Sequence, residues 1–266
     1  MLRDITIGQY YPADSVVHGL DPRVKLFSTL VYIISLFVFD GIFGFVYITI
    51  CLAAVIRLCK VPFSFMVKGL RSIVVLLLIA ALFNLLLTPG IPIFTFGFIR
   101  ITKVGIKNAA LMTVRMIYLI IGSSIMTLTT TPNALTDGME RSLRPLNRMG
   151  VPVHEISMMM SIALRFIPIL IEETDKIMKA QMARGADFES GGLVKRAKAM
   201  VPLLVPLFVS AFRRASDLAL AMEARCYHGG EGRTKMKPLK YTATDRKAYL
   251  IVVLYFVILI AIGIAL

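Results

Sequence analysis

The sequence predicts an all-α integral membrane protein with about five transmembrane helices and a large polar insert before the last of them. Hydrophobic residues make up 57% of the 266 residues and charged residues only 17%, whereas a soluble domain has about 25% charged residues. Several apolar runs approach the roughly 20 residues that a helix needs to cross a bilayer. The chain has 30 Lys and Arg against 16 Asp and Glu, and 19 of these basic residues fall within 132–247.

Five apolar segments are predicted to span the membrane. They are, in chain order, 24–39, 42–58, 72–87, 109–128 and 248–266. The first is a little short, and either local thinning of the bilayer or anchoring by the flanking Arg23 and Lys25 can absorb the mismatch. The stretch 91–107 alternates Thr and Phe around Gly97 and is predicted to form a short hairpin or a re-entrant piece. The resulting domains are an N-terminal membrane domain (1–131), a cytoplasmic domain (132–247) and a C-terminal transmembrane helix (248–266).

Positive charge predicts the orientation of these spans. Lys and Arg are enriched in cytoplasmic loops, and Arg57, Lys60, Lys68 and Arg71 cluster where the second span faces the third. With a cytoplasmic N-terminus, five spans place both this cluster and 132–247 in the cytoplasm. The sequence has no combined aromatic and basic motif for RNA or DNA, so the basic excess is assigned to topology and no nucleic-acid partner is expected.

The insert is predicted to contain one short helix, after Thr131-Pro132-Asn133, and two long helices over 155–183 and about 194–225. On the second long helix, a stripe of small residues permits the close approach of a partner helix, although alanine is also the best helix former. Ten of the 15 methionines lie in the insert; flexible thioethers suit surfaces that repack against partners, and ordinary core filling explains them equally well. The stripe is Ala211, Ala215 and Ala219, and the densest methionine cluster is Met158, Met159 and Met160.

The two long helices end in matching sequences, QMARG at 181–185 and MEARC at 222–226. A basic residue near a helix C-terminus and a glycine after it are common, so one such ending would mean little. Two of them, 41 residues apart, predict a paired docking device, because a protruding arginine can insert into an acceptor-lined groove. The candidate docking residues are Ala183, Arg184, Gly185, Ala224, Arg225 and Cys226.

The sequence lacks the motifs of an enzyme active site. It has no G-x-x-x-x-G-K-[ST] nucleotide loop, and its three cysteines and three histidines show no metal-binding spacing. We therefore expect no catalytic residue, cofactor or metal site in this chain.

Two other classes of function stay open as hypotheses. One is a membrane-embedded enzyme that uses Arg115, Arg165 and His154, and the other is a channel or self-sufficient transporter. Arg115 lies inside the fourth predicted span, where an ionisable residue is a functional candidate by default; a side chain that reaches the interface, or pairs with a buried acceptor, is an equal alternative.

The chain resembles the transmembrane T component of energy-coupling factor (ECF) transporters, the ABC-type importers of vitamins and trace nutrients. Segments similar to that family extend over almost the whole sequence, and the two coupling motifs are the most specific of them when taken together. The segments are GQYYPADSVVHGLDPRVKL (8–26), ALRFIP (163–168), AQMARGA (180–186) and AMEAR (221–225).

The resemblance implies a non-catalytic coupling subunit in a bacterial cell membrane. In that family two cytosolic ATPases hydrolyse ATP, a small S component binds the substrate, and the T component holds them together. Two long cytoplasmic helices would cross and dock Arg184 and Arg225 in grooves of the ATPases, while the methionine cluster and the alanine stripe would serve the helix crossing or contact the S component. The family often has Gly at the position of Cys226, where a positive φ favours glycine; we expect Gly229 to supply the helix stop instead.

Overall fold

The computed structural model describes residues 10–39, 41–62, 64–67, 73–89, 92–96, 99–188, 192–230, 236 and 238–265. Its mostly helical architecture confirms the predicted fold class. Several residues used in the sequence prediction, namely Lys68, Arg71, Ser72, Gly97 and Leu266, lie outside the described residues. The elements in chain order are α1 (Pro22–Val38), α2 (Ile42–Cys59), α3 (Val74–Leu87), β1 (Pro92–Phe96), β2 (Ile99–Thr102), α4 (Lys103–Thr129), α5 (Pro132–Leu143), a 3₁₀ helix (Arg144–Met149), α6 (Val153–Ala183), α7 (Leu193–Glu223) and α8 (Ala243–Ala265).

The chain divides into two compact units whose boundary falls within α5. The bundle unit comprises 8–139 and 239–266 and contains α1 to α4, the strands and α8. The tip unit comprises 140–238, together with 1–7, which lie outside the described residues, and contains α6 and α7.

Five of the described helices are long and apolar enough to cross a membrane, the number predicted, but two of them are not predicted spans. Helices α2, α4 and α8 match predicted spans, whereas the first and third predicted spans form shorter helices of 17 and 14 residues, about 26 and 21 Å long. The remaining two candidates lie in α6 and α7. The cytoplasmic location of 132–247 therefore stays a prediction.

The stretch between α3 and α4 forms the hairpin that the sequence predicted as one of two possibilities. Strands β1 and β2 pair antiparallel, with Phe94 opposite Ile101 and Phe96 opposite Ile99. Thr102 then begins α4, because its Oγ1 accepts the N–H of Gly105 at 2.9 Å. The same hydroxyl donates to the carbonyl oxygen of Thr88 at 3.1 Å, which ties the end of α3 to the start of α4.

Close backbone approach and hydroxyl groups join α1, α2 and α4 in the bundle unit. The ring of Tyr32 packs against the backbone of Gly122, where an added Cβ would overlap the ring. The Tyr32 hydroxyl donates to the carbonyl oxygen of Tyr118 at 3.1 Å, and the Tyr118 hydroxyl is 2.6 Å from Oγ1 of Thr49. Such contacts hold helices together in lipid, where apolar surface gains little by leaving the acyl chains.

A polar cluster joins the start of α1 to the start of α8 within the bundle unit. The Asp21 carboxylate accepts the backbone N–H of Arg23 at 2.9 Å and pairs with the Arg23 guanidinium at 2.8 Å. The N–H of Asp21 itself donates to Oδ1 of Asp245 at 2.8 Å, and Asp245 is only 1% exposed. The Arg23 guanidinium also lies 3.7 Å from the centroid of the Tyr241 ring.

Lys25 is buried at the C-terminal end of α4. Its Nζ donates to the carbonyl oxygens of His18 at 3.0 Å and Thr129 at 2.8 Å, a favourable place for a cation because the last carbonyls of a helix carry partial negative charge. Anchoring of the first span at the bilayer surface by Arg23 and Lys25 stays a prediction. Both side chains engage the protein, and Lys25 is only 7% exposed.

Candidate functional site

Helix α6 ends at Ala183 in a hydrogen-bonded cap, and Arg184 is the C-cap residue. The N–H of Ala186 donates to the carbonyl oxygen of Gln181 at 3.0 Å, and the N–H of Gly185 donates to that of Met182 at 2.9 Å. Gly185 has a φ of 88°. This pair of bonds around a left-handed residue is the Schellman motif, which satisfies carbonyl groups that the helix end leaves open.

Helix α7 ends in the same motif. The N–H of Tyr227 donates to the carbonyl oxygen of Met222 at 3.1 Å, and the N–H of Cys226 donates to that of Glu223 at 2.9 Å. Cys226 has a φ of 54° and takes the place that Gly185 has in α6. Arg225 therefore occupies the position of Arg184, one residue before the left-handed residue.

The expectation that Gly229 supplies the stop of the second long helix is wrong. Gly229 does have a positive φ of 96°, but it lies three residues beyond Cys226, which already closes the cap. A side chain with a Cβ at such a position costs roughly 1–2 kcal/mol relative to a right-handed conformation. The two N–H bonds of the cap hold Cys226 there despite this cost.

The candidate docking residues form two exposed groups of three. We call Ala183, Arg184 and Gly185 the first tip, and Ala224, Arg225 and Cys226 the second tip; all six are exposed. Each tip thus presents a guanidinium with five N–H donors on a helix end whose backbone is already hydrogen-bonded. Binding of these donors to a partner protein stays a prediction.

A polar cluster of described residues connects the two long helices, and no sequence motif marks it. The Glu173 carboxylate on α6 accepts the Ser210 hydroxyl at 2.5 Å through Oε1 and Nη2 of Arg214 at 2.8 Å through Oε2. Ser210 and Arg214 lie one turn apart on α7, so both reach the same carboxylate. We call these three residues the clamp.

In the methionine cluster, one side chain makes a contact within the protein and two are exposed. Met158 accepts a hydrogen bond through its Sδ from the hydroxyl of Tyr227, at 3.0 Å. Met159 and Met160 are exposed by 57% and 51%. Met158 therefore joins the start of α6 to the chain just beyond the second tip, while its two neighbours are free for contact with lipid or another chain.

The alanine stripe does not carry the hydrogen bonds between the long helices. Ser210 and Arg214 of the clamp make these bonds, and they lie one position before Ala211 and Ala215. Ala211 is half-buried, whereas Ala215 and Ala219 are exposed. A role for the stripe in contact with an S component stays a prediction.

His154 belongs to a hydrogen-bonded cluster at the start of α6. Its Nδ1 lies 3.1 Å from Oε1 of Glu140, whose Oε2 accepts the hydroxyl of Ser157 at 3.1 Å. The backbone of Gly230 packs against the His154 ring, where an added Cβ would overlap it. Arg165, the other residue of the enzyme hypothesis on this helix, lies eleven residues further on, about 16 Å away, which is too far to share one reacting group.

Arg115 lies in the bundle unit, among aromatic rings of neighbouring helices. Its guanidinium carbon is 5.7 Å from the ring centroid of Phe37 and 5.8 Å from that of Phe45, within the range of a cation–π contact.

In the part of the chain that the structure describes, no group of three or more His, Cys, Asp or Glu residues could hold a metal ion.

Comparison with known proteins identifies relatives along nearly the whole chain. A profile of the CbiQ family, described as cobalt transport protein, matches residues 13–236. The energy-coupling factor transporter transmembrane protein EcfT of Clostridium kluyveri is 53% identical over 247 residues, which cover 92% of each chain. Proteins of the same name from Thermosediminibacter oceani and Bacillus subtilis are 52% and 49% identical, over 94% and 92% of this chain and 94% and 93% of their own.

The apolar helices and these relatives together define a transmembrane component of a transporter. More particularly, the chain belongs to the CbiQ family and to the T components of energy-coupling factor transporters within it. The resemblance stated from the sequence is confirmed.

Proposed function

We propose that this chain is the non-catalytic coupling subunit of an ATP-driven importer of the energy-coupling factor type. Two cytosolic ATPase subunits bind ATP and Mg²⁺, so this chain needs no cofactor of its own. A separate S component binds the vitamin or other micronutrient. The chain lies in a bacterial plasma membrane, with its N-terminus and residues 132–247 in the cytoplasm, and transmits movement of the ATPases to the S component.

The two tips are the observation that carries this proposal. Arg184 and Arg225 are exposed, and each lies one residue before the left-handed residue of the same cap. A guanidinium can make several charge-assisted hydrogen bonds in a groove lined by carbonyl or carboxylate oxygens. Two such devices on one chain suit two copies of a similar partner, which is what a pair of ATPase subunits offers.

Exposed apolar side chains on both long helices of the tip unit support a second partner, whose own surface is apolar. Phe208 and Phe212 on α7 are exposed by 61% and 70%, and Met159 and Met160 on α6 by more than half. Exposed apolar patches of this kind mark interaction surfaces in proteins. We assign these side chains to contact with the S component.

Binding of the ATPases by the tips can be tested with a double variant, Arg184→Ala with Arg225→Ala. We expect co-purification of the ATPases from the native membrane to fall at least tenfold, because hydrogen bonds to a charged group contribute about 1.5–3 kcal/mol each. Membrane insertion should not change. The matched control is Arg165→Ala with Arg213→Ala, two exposed arginines on the same helices but away from the tips.

Three results would contradict the proposal. Undiminished ATPase in the double variant would remove the docking role of the tips. Flux of solute through the purified chain alone in liposomes would favour a self-sufficient transporter, and turnover by the chain alone would favour an enzyme.

A further inference from the structure

The clamp lies at the same sequence distance from both tips. Arg184 follows Glu173 by eleven residues along α6, and Arg225 follows Arg214 by eleven residues along α7. Eleven residues are about three helical turns and about 16 Å. Each arginine therefore lies at the end of an arm of equal length, on about the same side of its helix as the clamp residue.

A second contact shows that the two arms point in opposite directions. The Tyr227 hydroxyl, just beyond α7, donates to Sδ of Met158, near the start of α6. The end of α7 therefore lies beside the start of α6, and the helices run antiparallel from this contact to the clamp. The first tip lies beyond the clamp on one side and the second tip on the other, up to about 33 Å apart along the pair.

We propose that the clamp is a positioning site that sets the separation of the two tips, so that both can bind ATPase subunits at the same time. The identity of the partners rests on the proposed function, whereas the separation is a property of this chain alone. Two linked sites bind a two-part partner more tightly when their separation is held at the spacing of the partner. The clamp residues act through Arg184 and Arg225.

An ordinary surface ion pair would not have this effect. Such pairs contribute little, because solvent screens them and the side chains lose freedom when they pair. The clamp differs in that both oxygens of Glu173 are used, by two residues of the other helix, and its side chain is only 23% exposed. Removal of the clamp should therefore let α6 and α7 move relative to each other, and not merely release one side chain.

The test measures the distance between the tips in the full-length chain. Spin labels are attached at Ala183→Cys and Ala224→Cys, after the cysteines at 51, 59 and 226 are replaced by alanine, and the distance distribution is recorded by electron paramagnetic resonance. We expect Glu173→Gln to broaden or shift the distribution. The charge swap, Glu173→Arg with Arg214→Glu, should restore it.

The matched control is Asp175→Asn, which removes a carboxylate from the same helix. Asp175 pairs only along its own helix in the contact that the structure gives it, with Lys179 at 3.9 Å, so the distance between the tips should stay unchanged. In the complex, Glu173→Gln should weaken the apparent affinity for the ATPase pair about two- to fivefold, the range of a partly exposed ion pair, and the charge swap should restore it.

The outcomes separate the inference from the proposed function. An unchanged distance in Glu173→Gln, a change that the charge swap does not reverse, or a changed distance with unaltered ATPase affinity would each overturn the inference. If the unsubstituted chain purifies from its native membrane without ATPases, the proposed function is contradicted. The inference then loses the partners that it assigns, whatever the distance between the tips.

Discussion

The first and second tips share one backbone geometry and differ in the side chains that surround it. In both, an arginine precedes a residue with positive φ, and the following N–H groups return to carbonyls of the same helix. The first tip has Gly185 at the left-handed position and Ala186 after it. The second tip has Cys226 and Tyr227 at these places. The hydrogen bonds of the cap, rather than a glycine, therefore fix where each arginine lies.

This comparison indicates how each tip balances strain against support. A Cβ in the left-handed region costs roughly 1–2 kcal/mol, and the second tip carries this cost while the first does not. The second tip is supported by the Tyr227–Met158 bond, and a neutral hydrogen bond contributes about 0.5–1.5 kcal/mol. The corresponding residue of the first tip, Ala186, has only a methyl group. The first tip is thus relaxed, and the second is strained but tethered.

The largest expected effect comes from placing a branched side chain in the first tip. Gly185→Val forces a β-branched residue into the left-handed region and should destabilise the cap by about 2 kcal/mol. Amide hydrogen exchange at Ala186, whose N–H closes the cap, should accelerate about 30-fold. Gly192→Val is the control, because Gly192 has a φ of −71° and nothing within 4 Å of an added Cβ. Similar acceleration in both variants would contradict the strain argument.

A smaller effect of opposite sign is expected in the second tip. Cys226→Gly removes the Cβ from the left-handed position and should stabilise the cap by about 1 kcal/mol. Exchange of the Tyr227 amide should then slow about fivefold. Cys226→Ala, which removes the thiol but keeps the Cβ, should leave the rate unchanged. If the alanine variant slows exchange as much as the glycine variant, the thiol and not the backbone is responsible.

The smallest effect concerns the tether of the second tip. Tyr227→Phe removes the hydroxyl and keeps the ring, and it should accelerate amide exchange around Met158 about twofold, since a hydrogen bond to sulfur is weak. Met158→Leu should have a similar effect. The two substitutions together should do no more than either alone, because they break the same contact. Fully additive effects would show that Tyr227 and Met158 act separately.

The sequence predicted the fold class and the arginines but not the contacts that position them. The long helices were visible from their apolar and charged periodicity, and the repeated Ala-Arg ending identified both tips. The clamp could not be predicted, because Glu173 contacts Ser210 and Arg214, which lie 37 and 41 residues further along the chain. Nothing in the local sequence distinguishes Glu173 from the neighbouring carboxylates. A sequence shows which residues are charged, whereas helix packing decides which of them meet.

One local expectation failed, and a second residue makes a contact that the sequence did not reveal. Glycine propensity pointed to Gly229 as the helix stop, but two backbone bonds outweigh the cost of a Cβ at Cys226. Lys25, at the edge of an apolar run, donates to the carbonyl oxygen of Thr129 at the end of α4. In both places the hydrogen-bonding needs of a helix end determine the contact, and the type of the residue alone does not predict it.

The hydrogen bond from Asp21 to Asp245 has a consequence for the order of synthesis. These residues are separated by 224 positions, and a ribosome that adds about 5–20 residues per second needs roughly 11–45 s to make the interval. For most of this time α1 is already synthesised while Asp245 does not exist. The bundle unit can therefore be completed only late in translation, and until then the backbone N–H of Asp21 depends on water or on the insertion machinery for a hydrogen-bond acceptor.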